Sequence, residues 1–95
     1  MIKEDNKVIC EEQRVLEGYV YTYRLILHSA RKYSSFGMPL YSLSVAMRDS
    51  SGKSTHAETK EIFSEEIKAR RFFDKLVRNL ATPIDLAYII EDEFT

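Results

Sequence analysis

The stretch "RVLEGYVYTYRLIL", residues 14–27, governs how the rest of the chain is read. From Tyr19 onward its residues alternate. Tyr19, Tyr21, Tyr23, Leu25 and Leu27 share one face, while Val20, Thr22, Arg24 and Ile26 share the other, the period of two that marks a β-strand. Aromatic and β-branched side chains fit such a half-buried surface. Glu17-Gly18 stands immediately before, and Gly18 can supply the positive φ that a two-residue hairpin turn requires. A turn there makes the preceding segment a strand as well. Its register then sets Leu16 opposite Tyr19, Arg14 opposite Tyr21, Cys10 opposite Leu25 and Val8 opposite Leu27. Val8, Cys10 and Leu16 join the tyrosine face, with Glu12 and Arg14 intruding between them. Ile9 and Val15 fall on the opposite face beside Ile26 and Val20. A slip of one residue would send every side chain to the wrong side.

The alternation returns in "LYSLSVAMR", residues 40–48, where Tyr41, Leu43, Val45 and Met47 oppose Ser42, Ser44, Ala46 and Arg48. The connection before it, "SARKYSSFGMP" (29–39), is long for a hairpin loop. The one after it, "DSSGK" (49–53), is an ordinary turn built on Gly52. A fourth strand is expected over 55–63. Its sequence "THAETKEIF" is poor in β-formers, which suits a short edge strand blunted by charge.

Beyond Phe63 the apolar period becomes 3.6. Ala69, Phe72, Phe73, Leu76, Val77 and Leu80 form one stripe, with Ser64 expected as N-cap and Glu65 and Glu66 in the first turn. A second helix opens on Thr82, with Pro83 at its first position and Asp85 completing a capping-box pattern. Leu86, Ile89, Ile90 and Phe94 line its buried side. With only Ala81 and Thr82 expected between them, the helices should form a tight hairpin. The predicted fold is α+β: an antiparallel four-stranded meander over 7–63, then a helical hairpin over 64–94 packed on the tyrosine face.

A chain of 95 residues suffices for one domain with its own core. Fourteen basic and fifteen acidic side chains leave a formal charge of −1, so no overall field attracts nucleic acid or an anionic membrane. The single cysteine, Cys10, has no internal partner, which points to a reducing compartment, the cytoplasm. The N-terminal "MIKEDNKVICEEQ" lacks the apolar run of a signal peptide, and no segment has the apolar length of a membrane span.

Catalytic patterns are absent from the sequence. Cys10 lies on the inferred core face without a neighbour in sequence to activate it, and the loop serines form no nucleophile elbow. His28 and His56 stand apart from each other and from Cys10, without metal-ligand spacing. No glycine-rich loop precedes a helix. The chain therefore reads as a non-enzyme with no cofactor and no metal. Two surfaces remain. Two helices cover only one side of a sheet, so the face carrying Val20, Thr22, Ile26, Ser42 and Ser44 is expected to stay open for a second copy or another protein. The alternative is weak nucleic-acid binding. It would use a basic helix stripe, Lys68, Arg71, Lys75 and Arg78, with Arg31 and Lys32 in the 29–39 loop near Tyr33 and Phe36.

The C-terminal run "IFSEEIKARRFFDKLVRNLATPIDLAYIIEDEF" resembles the end of a family of small uncharacterised proteins of clostridia and related Firmicutes, a domain of unknown function. The resemblance rests on a Pro-x-x-Leu-x-x-Ile-Ile-Glu-Asp helix, here Pro83, Leu86, Ile89, Ile90, Glu91 and Asp92. "EGYVYTY" (17–23) is a looser match, and the long 29–39 connection departs from the pattern. The resemblance implies a bacterial, intracellular protein with strands before helices, and it implies no activity or site residue.

Overall fold

The computed structural model describes residues 5–29, 40–59 and 63–94, with side chains placed over 7–28, 40–59 and 63–91. Four strands, β1 (Asp5–Leu16), β2 (Tyr19–Ser29), β3 (Leu40–Arg48) and β4 (Ser54–Glu58), precede two helices, α1 (Glu66–Arg78) and α2 (Pro83–Phe94). The strands form one antiparallel sheet in the order β1-β2-β3-β4. The expectation for the 29–39 connection falls almost wholly outside the described residues.

The hairpin turns where Gly18 indicates. Glu17 and Gly18 have φ of 52° and 85°, the paired positive values of a type I′ turn. A Cβ on Gly18 would meet nothing within 4 Å, so its φ and not its surroundings calls for glycine. Glu17 holds the same left-handed region with a side chain that visits it at a cost. Glu17→Asn is expected to raise stability by about 0.5–1 kcal/mol, seen as a melting temperature a few degrees higher. A lower melting temperature would mean that exposed Glu17 makes a compensating contact.

From Leu16↔Tyr19 through Arg14↔Tyr21 to Cys10↔Leu25 the pairing follows the sequence register. It then departs. A bulge between Val8 and Cys10 leaves Ile9 without an opposite residue and sets Val8 against Ile26 and Lys7 against Leu27. The extra residue reverses which side each neighbour faces. Ile9 leaves the open face and packs against the core beside Cys10, while Val8 turns outward and is half exposed.

The core lies between one sheet face and both helices. Tyr21, Tyr23, Leu25, Tyr41, Leu43 and Val45 meet Phe63, Ala69, Phe72, Phe73, Leu76, Val77, Ala81 and Leu86. β4 is shorter than the sequence suggested and ends at Glu58. Thr59 then closes the strand by donating its N–H to the Leu43 carbonyl, while its hydroxyl accepts from the Leu43 N–H. The chain rejoins the sheet through an isolated bridge between Phe63 and Tyr41.

The N-cap of α1 is Glu65, not Ser64, with extended backbone and no side-chain cap bond. α2 starts as its sequence dictates. The Asp85 N–H donates to Thr82 Oγ1 at 3.2 Å, and the Thr82 N–H donates to Asp85 Oδ2 at 3.0 Å, a reciprocal capping box. Between the helices lie Asn79 to Thr82 rather than two residues. Ala81 N–H bonds to the Leu76 carbonyl and Leu80 N–H to that of Val77, with Leu80 left-handed at φ 50°. This is a Schellman termination, and it accounts for the longer link. The helices do not close tightly on each other as expected. α1 rests on β2 and β3, and α2 on β3 and β4. Beyond Cys10, neither covers the core-side row of β1, and Glu12, Arg14 and Leu16 stay exposed there.

Candidate functional site

The sheet face turned away from the helices is built from cross-strand rows. Val8 opposes Ile26 and then Ser42. Glu11 opposes Arg24, Ser44 and Glu58, Gln13 opposes Thr22, Ala46 and His56, and Val15 opposes Val20 and Arg48. The polar residues of these rows bond to one another. Arg24 Nε donates to Glu11 Oε2 at 2.7 Å, and Gln13 Nε2 donates to Thr22 Oγ1 at 3.4 Å.

Sequence reasoning placed Val20, Thr22, Ile26, Ser42 and Ser44 together here, and the register does put all five on this face. Their accessibility differs. Val20, Thr22 and Ile26 are half-buried, but Ser42 and Ser44 are only 1% and 4% exposed. The two serines therefore offer a partner little surface of their own. They lie among larger neighbours and bond diagonally across the sheet. Ser42 Oγ shares a hydrogen bond with His28 Nε2 at 2.7 Å, and Ser44 Oγ shares one with His56 Nε2 at 3.0 Å. The histidines, separate in sequence, thus flank the two hydroxyls. A hydroxyl beside an imidazole is the beginning of a nucleophile and base. Hydroxyls this deeply buried are closed to an incoming substrate in this conformation, so the pairs fix the face and satisfy its polar atoms. Consistent with this, no buried side-chain nitrogen or oxygen among the described residues lacks a partner.

The basic stripe has a different setting. Lys68, Arg71 and Lys75 line an open groove of about 320 Å³ along α1 with Glu65, Ile67 and Phe72, and Lys75 Nζ sits 5.9 Å from the Phe72 ring centre. Arg78 is exposed in the last helical turn, where a cation complements the helix dipole. Arg31 and Lys32 lie outside the described residues.

Cys10 is half-buried rather than fully buried. Arg70 Nη1 donates to its Sγ at 3.1 Å, Arg70 Nε donates to Glu66 Oε2 at 2.7 Å, and the Tyr41 hydroxyl donates to Glu66 Oε1 at 3.3 Å. This chain of contacts ties β1 and β3 to α1. The Arg70 guanidinium holds the Glu66 carboxyl below its ordinary range, while burial and the Glu66 charge push the Tyr41 hydroxyl up. The spacing of four between Glu66 and Arg70 on α1 is the sequence signal for this ion pair. Among the described residues, no group of three or more His, Cys, Asp or Glu is placed to hold a metal ion. None of their helices is long and apolar enough to cross a membrane.

A model of a family of unknown function, DUF6514, matches residues 2–95. The chain belongs to that family. No curated protein and no solved structure matches it. The match runs through the sheet and both helices, so the open face and the groove of α1 both lie within the DUF6514 region.

Proposed function

We propose that the chain is a small protein-interaction domain that associates with a second copy of itself through the open face of the sheet. The distribution of side chains along that face supports this reading. Val8 and Ile26 form an aliphatic pair near one end, and Val15, 73% exposed, forms another with Val20 near the other end. The groups between them already bond to one another, so covering them strands few donors or acceptors. Because both ends carry an aliphatic pair, a second copy laid across the face in either direction sets apolar against apolar. Aligned stacking of two such faces is a familiar way to bury a sheet. We take the working compartment to be the cytoplasm, where a lone cysteine keeps its thiol.

Light scattering on a sizing column, from about 1 to 50 µM protein, tests the reading. Mass above that of one chain is expected, with the midpoint of association moved at least about tenfold higher by Val20→Asp, since burying a carboxylate against aliphatic side chains is costly even with Arg48 opposite it. An unchanged midpoint in a variant whose circular dichroism matches the parent would remove the open face from the interface.

A further inference from the structure

We propose a second and separate contact between copies: the outer edge of β1 pairs antiparallel with β1 of another copy, about a two-fold axis at Gln13, joining two sheets into one.

β1 is a twelve-residue edge strand, and an edge of that length presents a row of backbone donors and acceptors. The turn fixes which residues supply them. In a two-residue hairpin the residues flanking the turn, here Leu16 and Tyr19, exchange hydrogen bonds, and the alternation then runs back along the strand. Leu16, Arg14, Glu12 and Cys10 direct their backbone groups to β2. Glu11, Gln13 and Val15 direct theirs outward.

A second β1 centred on Gln13 sets Gln13 against Gln13 and Glu11 against Val15, outward residue against outward residue, for about six backbone hydrogen bonds. The same register sets Glu12 against Arg14 and Arg14 against Glu12 on the core side, with Cys10 against Leu16 beyond them. The row Cys10, Glu12, Arg14, Leu16 is thus complementary to itself in the antiparallel sense, with apolar residues at its ends and opposite charges within. Registers of the same backbone parity centred on Glu12 or on Arg14 put like charges directly opposite, which opposes them. The charges that protect the edge from unrelated strands therefore admit a copy of the same strand in one register.

The rest of the edge fits this arrangement. Glu12 and Arg14 are paired within their own strand at 2.9 Å, with both side chains about half exposed, so each can exchange its partner for the equivalent group across the axis. Leu16 is 43% exposed at the end of the row, and the helices, over β2, β3 and β4, leave room beside it. The bulge at Ile9 bends β1 just beyond Cys10, which limits the pairing to the segment that carries the complementary row.

The contact does not depend on the open face, so the test starts from a chain carrying Val20→Asp. That protein is expected to remain a dimer. Arg14→Glu within it creates an all-acidic row and Glu12→Arg an all-basic one, and each is expected to be monomeric, with dissociation constants at least about tenfold higher. Mixing the two should restore a dimer containing one chain of each, because every opposed pair is then of unlike charge. The double variant Glu12→Arg/Arg14→Glu should dimerise with itself. Masses from light scattering or sedimentation decide the matter, with circular dichroism confirming that each variant is folded. A monomeric Val20→Asp parent, an unaltered mass in either single variant, or a mixture that stays monomeric would each overturn the edge contact. The comparison of wild type with Val20→Asp judges the open face independently.

Discussion

Leu76→Ala lowers the free energy of unfolding by about 3–5 kcal/mol. Leu76 is 0% exposed and stands in the middle of the apolar stripe of α1, between Phe72 and Phe73 on one side and Val77 on the other. Removing three carbons leaves a cavity that this site collapses poorly, because many of the surrounding core residues are rings on a sheet and on a helix. The position has a second role. The Leu76 carbonyl receives the Ala81 N–H, and Leu76 and Ala81 occupy the two positions that make the hydrophobic contact of a Schellman termination. Truncation therefore weakens both the packing of α1 and the turn leading into α2. For a domain stabilised by about 5–15 kcal/mol, the loss is about a fifth or more of the total. Urea titration monitored by circular dichroism measures it, with Leu76→Met expected to cost less than about 1.5 kcal/mol because volume is conserved. A loss below about 1 kcal/mol for the alanine variant would show that α1 rests loosely on the sheet.

The residues explain which parts of the fold were legible in the sequence. Tyr19, Tyr21, Tyr23, Leu25 and Leu27 keep a strict period of two and Gly18 fixes the turn, so the first hairpin could be registered residue by residue as far as Cys10. The bulge could not be seen, because Val8, Ile9 and Cys10 are all apolar and either side of the sheet accepts each of them. The start of α2 was readable because Thr82, Pro83 and Asp85 each have a distinct reason for their place. The start of α1 was not, since Ser64, Glu65 and Glu66 are all polar and the backbone alone selects Glu65. The open face was legible as a set of residues and not as a surface. Ser42 and Ser44 look like exposed small residues until the diagonal contacts with His28 and His56 are drawn. The first requires the β2–β3 register and the second the β3–β4 register, which a strand as weak as Ser54–Glu58 does not announce. Glu12 and Arg14 looked like flaws on an apolar face. They become intelligible once β1 is known to be an edge that the helices leave uncovered.

Tyr23→Phe is expected to cost about 1–3 kcal/mol near neutral pH and to change how stability responds to alkali. Tyr23 is 0% exposed in the central strand β2, and its hydroxyl donates to the Ala81 carbonyl at 2.9 Å, joining the sheet to the turn between the helices. Phenylalanine fills the same space and leaves that carbonyl with a lost partner. The hydroxyl is also held protonated. Burial, with smaller contributions from Tyr21 and Asp85 set against the opposing effect of Arg14, pushes its pKa from 10.0 up to about 12. The unfolded chain releases this proton near pH 10 and the folded chain only near 12, so the folded state binds more protons in between. Its contribution is complete below pH 10 and is lost as pH rises from 10 through 12, by about 2–3 kcal/mol in all. Phenylalanine has no proton to lose. The stability difference between wild type and Tyr23→Phe should therefore stay constant from pH 7 to 9 and shrink steadily above pH 10, the other tyrosines cancelling between the two proteins. Urea titrations at pH 7, 9 and 11 provide the comparison. A difference that stays the same at pH 11 would mean that Tyr23 ionises as readily in the folded chain as in the unfolded one, and that its hydrogen bond to Ala81 is not shielded from solvent.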